Sequence, residues 1–213
     1  MKKLLMQVTD ELLPELAVES LDPHDPVVVK KLPKPWTCLG RGNYAAVLLH
    51  PEYPDYAVKV YAPGRPGLEE ELEVYRLLGR HPAYSEYYAS GSNFLIMKRL
   101  KGLTVYECIR RGIRIPEQVI RDIDEALDYA RSKALYPHDI HAKNVMMENG
   151  RGYVLDVSDF LKQSYCGMWK DFKKVYFRLY APLIRRHPIP VPDGLLEVIR
   201  KGYQLWKKLK RSD

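Results

Sequence analysis

The feature that most constrains this sequence is a pair of short apolar segments, 145–147 and 153–155, on either side of an Asn-Gly dipeptide. Asn-Gly between two apolar runs favours a tight β-hairpin, because both central residues of such a turn need a positive φ. The two open ends of that hairpin lie side by side, and they carry Asn144 and Asp156. Asp139 lies on the polar loop that leads into the first strand.

These three side chains point to a magnesium site. Amide and carboxylate oxygens suit Mg²⁺, which commonly takes one or two carboxylates from the protein and completes its shell with phosphate oxygens and water. Asp and Asn are also ordinary turn residues. The interpretation therefore depends on what accompanies the hairpin elsewhere in the chain.

A β-rich region precedes the hairpin, at residues 37–61. Gly40 and Gly42 form a bend between two strands, where the absence of Cβ lets backbone N–H groups approach a phosphate. Lys59 interrupts an apolar strand and shares one face with Ala57 and Tyr61. Lys59 is either an edge lysine with its ammonium in water or a phosphate contact beneath the glycine bend.

A helix is predicted over residues 68–78, because its leucines recur along one stripe. It carries several acidic residues, one of which could pair with Lys59; they are Glu69, Glu70, Glu71 and Glu73. Strands are predicted at 84–89 and 94–97, and helices at 104–110, 116–133, from 169 onward and at 195–209. Residues 1–36 are rich in proline and are expected to form a peripheral tether or edge. The fold class is therefore α+β.

The order of these features resembles the protein-kinase fold over roughly residues 36–175. Residues 40–47 resemble the glycine-rich loop, and Ala57-Val58-Lys59 is similar to the Val-Ala-Ile-Lys strand. Residues 97–102 resemble the gatekeeper and hinge. Residues 139–144 match the Asp-Leu-Lys-Pro-x-Asn loop, and residues 156–158 fall at the Asp-Phe-Gly position.

The resemblance implies an N-terminal extension (1–36), an N-terminal lobe (37–97) and a reduced C-terminal lobe (98–213) that together use ATP and Mg²⁺. Asp139 would orient an acceptor hydroxyl and take its proton, Asn144 and Asp156 would hold the metal, and Lys59 would grip phosphates. Glu71 is the best match for the lysine's partner, with Glu73 and Glu70 as alternatives. The nucleotide-binding residues implied are Leu39, Gly40, Arg41, Gly42, Val47, Ala57, Lys59, Glu71, Met97, Lys98, Leu100 and Met146.

Several positions depart from the protein-kinase pattern. Pro137 stands where histidine is usual, His141 replaces the loop lysine, and Ser158 replaces the glycine of Asp-Phe-Gly. The link between Phe160 and the next helix is too short for a full activation segment. The chain is most similar to small bacterial serine/threonine kinases, with a more distant likeness to the kinase of the tRNA-threonylcarbamoylation complex.

The bulk composition excludes some classes of protein. The three cysteines show no metal or disulfide spacing, which indicates reduced thiols and a cytoplasmic location. No stretch approaches the roughly 20 apolar residues of a membrane span. The chain has 213 residues and a net charge of +7, with many basic residues near the C-terminus. These form either a solvated helix face or a contact for an acidic or nucleic-acid partner.

The leading hypothesis is an ATP-dependent phosphotransferase, with serine or threonine of a protein favoured over a small-molecule hydroxyl as acceptor. One alternative is an aminoglycoside- or sugar-type kinase, since His141 is typical of such enzymes. Another is a nucleotide-binding pseudokinase that acts as a scaffold. A third takes His138, Asp139 and His141 as a hydrolytic metal site.

Overall fold

The computed structural model of the chain describes residues 1–184, 189–196, 198, 201 and 202, which form an α+β fold with an antiparallel sheet and helices. The helical elements are α1 (Lys2–Met6), a π-helical segment (Gln7–Leu12), α2 (Leu13–Glu15), α3 (Leu68–Leu78), α4 (Val105–Arg111), α5 (Glu117–Ser132), α6 (Met168–Val175) and a second π-helical segment (Tyr176–Ile184). The strands are β1 (Ala17–Glu19), β2 (Val28–Lys31), β3 (Thr37–Arg41), β4 (Ala45–Leu49), β5 (Tyr56–Tyr61), β6 (Tyr87–Ser90), β7 (Phe94–Lys98), β8 (Leu103–Thr104), β9 (Val145–Glu148) and β10 (Arg151–Val154).

Five strands form one antiparallel sheet in the order β3-β4-β5-β7-β6. The register places Val47 opposite Lys59, and Lys59 opposite Leu95. Because side chains alternate along a strand, these residues share one face with Ala57 and Met97, which are also paired. This inner face packs toward α3 and the C-terminal half of the chain.

The outer face of the same sheet is covered by the N-terminal segment. Leu4, Val8 and Leu12 are at most 1% exposed, and they share a hydrophobic cluster with Val58 and Ile96 of the sheet. The sequence predicts a peripheral tether or edge for residues 1–36, and the structure places the first part of this segment in a packed layer on the sheet. Sequence reasoning missed this layer because the prolines that follow it resemble a linker. The apolar stripe can be recognised as buried only when the sheet that it packs against is known.

The contribution of the N-terminal layer can be measured with Val8→Ala. We expect this substitution to lower the free energy of unfolding by about 2 kcal/mol, because it removes buried methyl groups and leaves a cavity. Met6, which is 61% exposed, provides the matched control, and Met6→Ala should change stability by less than about 0.5 kcal/mol. Urea denaturation of the two variants checks the result. Equal changes in the free energy of unfolding for the two variants would contradict a packed N-terminal layer.

The C-terminal half is organised around α5 and the hairpin of β9 and β10. Asn149 and Gly150 have φ values of 51° and 76°, as the Asn-Gly turn requires. β10 packs against α5, and β8 adds a third strand beside β9. Gly102 allows this approach, since a Cβ there would lie 2.2 Å from the Met147 carbonyl oxygen. The predicted hairpin is confirmed.

Two predicted elements differ in the structure. The strand expected over 84–89 is β6, which begins only at Tyr87. Tyr84 lies in a loop instead, where its buried hydroxyl donates to the Ala126 carbonyl oxygen at 2.7 Å. Helix α6 continues as a π-helical segment that contains Pro182.

The basic tail falls largely outside the described residues. Lys201 is described and exposed, whereas the remaining tail residues are not described; they are Arg200, Lys207, Lys208, Lys210 and Arg211. Across the described ranges, the helices are all too short or too polar to cross a membrane.

Candidate active site

A buried ion pair lies at the centre of the site. Strand alternation turns Lys59 toward the inner face of the sheet, where α3 presents Glu71. The Lys59 ammonium lies 2.6 Å from Glu71 Oε2, and the two side chains are 13% and 1% exposed. Glu70 and Glu73 are exposed to solvent, so Glu71 is the glutamate that pairs with Lys59.

Tyr61 also contacts this ion pair, although sequence reasoning did not assign it to the site. Its hydroxyl donates a short hydrogen bond to Glu71 Oε2, the same oxygen that contacts Lys59. The sequence does contain one indication of this position, because strand alternation places Tyr61 on the same face as Lys59. The other carboxylate oxygen, Oε1, is buried and has no hydrogen-bond partner among the described residues.

Burial and charge act in opposite directions on this pair. Burial alone would lower the pKa of Lys59, but the carboxylates of Asp156 and Glu71 raise it above its ordinary value, so the lysine stays charged. Burial raises the pKa of Glu71, with Lys59 and Tyr61 opposing that shift. A charged lysine held by a buried carboxylate is a fixed cation on the inner face of the sheet.

The open ends of the hairpin bring Asn144 and Asp156 together, as the sequence predicts. The Leu155 N–H donates to the Asn144 carbonyl oxygen at 2.9 Å, which closes the two ends. Asn144 Nδ2 donates to the main-chain oxygen of Asp139 at 3.0 Å and lies 3.4 Å from its Oδ2. Asp139 has a φ of 55°, in the left-handed region, while the neighbouring Ile140 is buried. The loop is thus anchored on both sides of the Asp139 carboxylate.

Asp156 connects the hairpin to the five-stranded sheet. Its Oδ1 lies 3.6 Å from the Lys59 ammonium and accepts a hydrogen bond from the Ser158 N–H at 3.0 Å. Burial would raise the pKa of Asp156, but Lys59 and the Ser158 N–H more than offset it, so the pKa lies below the usual range. Asp156 therefore stays ionised.

The Asp139 carboxylate has a different environment. Burial raises its pKa above the usual range; His141 opposes this shift, and the carboxylates of Asp159 and Asp156 reinforce it. His141 Nε2 lies 3.7 Å from Asp139 Oδ2. Asp159, which sequence reasoning did not assign a role, lines the same small cavity as Asp139, Asn144 and Asp156. The pKa values of Asp139 and Asp156 are thus shifted in opposite directions, upward for Asp139 and downward for Asp156.

Comparison with known proteins identifies a relative of this chain. No model of a known protein family matches the sequence. A protein of Bacillus subtilis (strain 168) named "Putative serine/threonine-protein kinase YrzF" is 34% identical over 179 residues, which are 83% of this chain and 82% of that relative. This chain belongs to the protein-kinase-like family. The kinase-like resemblance predicted from the motifs is confirmed.

The remaining positions that the kinase-like pattern assigns to a nucleotide lie along the inner face and the connector after β7. Ala57 and Met97 are paired across β5 and β7, and the Lys98 carbonyl accepts from the Ser85 hydroxyl at 2.7 Å. No described residue accepts a hydrogen bond from the Leu100 N–H. Val47 and Met146 are half-buried.

The glycine bend leaves open space. A Cβ on Gly40 would meet no atom within 4 Å, and one on Gly42 would meet only the Ala45 carbonyl oxygen, at 3.9 Å. Leu39 and Arg41, on the same strand, are exposed. Together with the Lys59 cation and the Leu100 N–H, this open bend fits a nucleotide with its phosphates toward Lys59.

The residues also fit a magnesium ion that is shared with phosphate. In the described part of the chain, no cluster of three or more His, Cys, Asp or Glu side chains is arranged for a metal. The hydrolytic site predicted as an alternative from His138, Asp139 and His141 is therefore not supported. Asn144 and Asp156 supply two oxygen donors, and Mg²⁺ commonly takes the rest from phosphates and water.

Proposed function

We propose that the chain is an ATP- and Mg²⁺-dependent phosphotransferase that moves the terminal phosphoryl group of ATP to a hydroxyl group. The observation that carries the proposal is the position of Asp156, 3.6 Å from the Lys59 ammonium and in one cavity with Asp139 and Asn144. A phosphate-binding cation, metal-binding oxygens and a candidate base are thus adjacent. Phosphoryl transfer depends mainly on such positioning and charge neutralisation.

Under this proposal the chain would consist of two lobes with a boundary near residue 98. Residues 37–97 would bind the nucleotide between the glycine bend and the connector, and residues 1–36 would brace the sheet from its outer face. Lys59, fixed by Glu71, would hold the α- and β-phosphates. The Lys98 carbonyl and the Leu100 backbone would bind the adenine edge beside Met97 and Ala57.

Asn144 and Asp156 would hold Mg²⁺ through their side-chain oxygens. When bound, this ion supplies positive charge that neutralises the phosphates and fixes their orientation. Asp156 is suited to this role because it stays ionised, and Asn144 because its Nδ2 is used by Asp139, which leaves its oxygen available.

Asp139 would orient the acceptor hydroxyl and take its proton on a carboxylate oxygen. Its raised pKa makes it a better proton acceptor than an ordinary aspartate. Asn144 fixes the loop that carries it, so the carboxylate is positioned before the acceptor arrives. His141 Nε2 lies 3.7 Å from the carboxylate and would border the acceptor site.

We favour a serine or threonine hydroxyl of a protein as the acceptor. The link between Phe160 and α6 runs past the Asp139 loop, where the Ser164 hydroxyl lies 3.5 Å from His138 Nδ1. This link is short and its Tyr165 is 83% exposed, so it leaves an accessible approach for a protein segment. A small-molecule acceptor is the alternative.

A nucleotide-sensing scaffold is the second candidate. Ser158 and Pro137 motivate it, because both depart from the protein-kinase pattern at positions beside the proposed site. This candidate predicts ATP binding without turnover. Its affinity for an acidic or nucleic-acid partner would fall steeply with salt.

Transfer of labelled γ-phosphate from ATP tests the proposal. The wild-type protein and Asp156→Asn are incubated with Mg²⁺ and a cell extract that has been separated into protein and small-molecule fractions. We expect label in the protein fraction with wild type, and a loss of at least about 10²-fold with the variant, since a metal-binding charge is removed. Label in the small-molecule fraction alone would change the acceptor class. ATP binding without label in either fraction would favour the scaffold.

A further inference from the structure

Asp122 is a buried carboxylate to which the proposed chemistry gives no role. It lies on α5, is 5% exposed and accepts four hydrogen bonds. Its Oδ2 accepts from Arg151 Nε and from the Gly152 N–H, both at 2.8 Å. Its Oδ1 accepts from the second Arg151 nitrogen, Nη2, at 2.9 Å and from Gln118 Nε2 at 2.8 Å. Such a saturated carboxylate has little freedom to move.

These contacts reach the closed end of the hairpin. Arg151 and Gly152 are the first two residues of β10, directly after the Asn-Gly turn. Gly152 also lies against the helix backbone, since a Cβ there would be 2.6 Å from the Val119 carbonyl oxygen. Asp122 therefore fixes both the side chain and the main chain of the hairpin to α5.

The other end of the same hairpin carries the candidate metal-binding residues. β9 and β10 pair residue by residue from the turn to Val145 and Val154. Asn144 directly precedes Val145, and Asp156 follows Val154 after one intervening residue. A strand of this length spans only about 13 Å, and its ladder hydrogen bonds make it move as a unit. A displacement at the turn would therefore be transmitted to both metal-binding oxygens.

We propose that Asp122 is a positioning residue that fixes the hairpin on α5 and thereby sets the placement of Asn144 and Asp156 for a divalent cation. It acts through the hairpin and touches no reacting atom. The inference rests on the proposed function, because the metal site is part of that function.

The same helix offers a matched control. Asp124 accepts from Trp169 Nε1 at 2.7 Å and from the Lys173 ammonium at 2.7 and 2.9 Å. It therefore joins α5 to α6 rather than to the hairpin. Asp122→Asn and Asp124→Asn each weaken a well-bonded carboxylate on α5, but only the first affects the hairpin.

The experiment compares these two variants in three measurements. Urea denaturation reports stability, the Mg²⁺ concentration for half-maximal phosphate transfer reports the metal site, and Mn²⁺ binding in the presence of ATP reports that site without catalysis. We expect both variants to lose stability. Only Asp122→Asn should raise the half-maximal Mg²⁺ concentration and weaken Mn²⁺ binding by about tenfold, as for residues that orient metal ligands.

A second pair of variants applies if Asp122→Asn does not fold. Arg151→Gln removes the exposed partner of Asp122 but keeps its bonds to Gly152 and Gln118, and Arg131→Gln, which breaks an exposed pair with Asp128, is its control. We expect a shift of the metal dependence of about threefold with Arg151→Gln, and none with Arg131→Gln.

The possible failures are distinguishable. If wild type transfers phosphate and binds Mn²⁺ with ATP, yet Asp122→Asn behaves like Asp124→Asn, the inference is wrong and Asp122 is only a structural brace. If wild type shows neither phosphate transfer nor ATP-dependent Mn²⁺ binding, the proposed function itself fails, and the positioning role fails with it.

Discussion

Replacing Asp139 with asparagine is expected to slow phosphate transfer by about 10³-fold while ATP affinity changes less than about twofold. General-base catalysis typically contributes about 10²- to 10⁴-fold, and the amide cannot accept the hydroxyl proton. Asparagine is preferred to alanine because Asp139 has a φ of 55°. Asparagine tolerates that conformation, whereas alanine would add backbone strain.

The measurement is transfer of labelled γ-phosphate together with a separate titration of ATP binding. Asp128→Asn is the control, because Asp128 is an exposed aspartate on α5 that pairs with Arg131. It should leave both quantities unchanged. Transfer by Asp139→Asn at more than a tenth of the wild-type rate would show that another group takes the proton.

Lys59→Met is expected to lower the free energy of unfolding by about 3 kcal/mol and to weaken ATP binding by at least about tenfold. The loss of stability arises because Glu71, which is 1% exposed, keeps its burial but loses the ammonium at 2.6 Å. Breaking a buried pair by removing one partner typically costs about 3–5 kcal/mol. The lower end is expected, since burial raises the pKa of Glu71 and Tyr61 still donates to it. ATP affinity falls because the phosphates lose a fixed cation.

The double variant Lys59→Met with Glu71→Gln tests the cause of the lost stability. A neutral amide can still accept from Tyr61 and leaves no buried charge, so most of the lost stability should return while ATP binding stays weak. Lys31→Met provides the control, because Lys31 forms an exposed pair with Glu15 and should contribute less than about 1 kcal/mol. Equal stabilities of the single and double variants would rule out an uncompensated Glu71 as the cause.

The parts of the site predictable from sequence depend on local geometry. The Asn-Gly turn sets the register of its own hairpin, so the sequence alone is enough to place Asn144 and Asp156 side by side. Strand alternation likewise determines the face on which Lys59 lies. Within each segment, the position of one residue determines that of its neighbours.

The parts that could not be predicted depend on how separate elements meet. Glu71 could be ranked above Glu70 and Glu73 by resemblance alone, since choosing among them requires the rotation of α3 about its axis. Tyr61 lies on the expected face, but its bond to Glu71 depends on the same rotation. The link from Asp122 to the hairpin gives no local signal, because Arg151 and Gly152 are separated from the helix by a long loop and a strand.

The layer that α1 and the first π-helical segment form on the sheet has a consequence for how the chain acquires its structure during synthesis. Leu4 and Val8 leave the ribosome well before Phe94 and Ile96, yet all four residues belong to one hydrophobic cluster. Until β7 has been synthesised, the apolar stripe of the first helix has no complete surface to cover and stays available to chaperones. Contacts between segments so distant in sequence slow folding, so the N-terminal half should reach its final form late, as a single cooperative event.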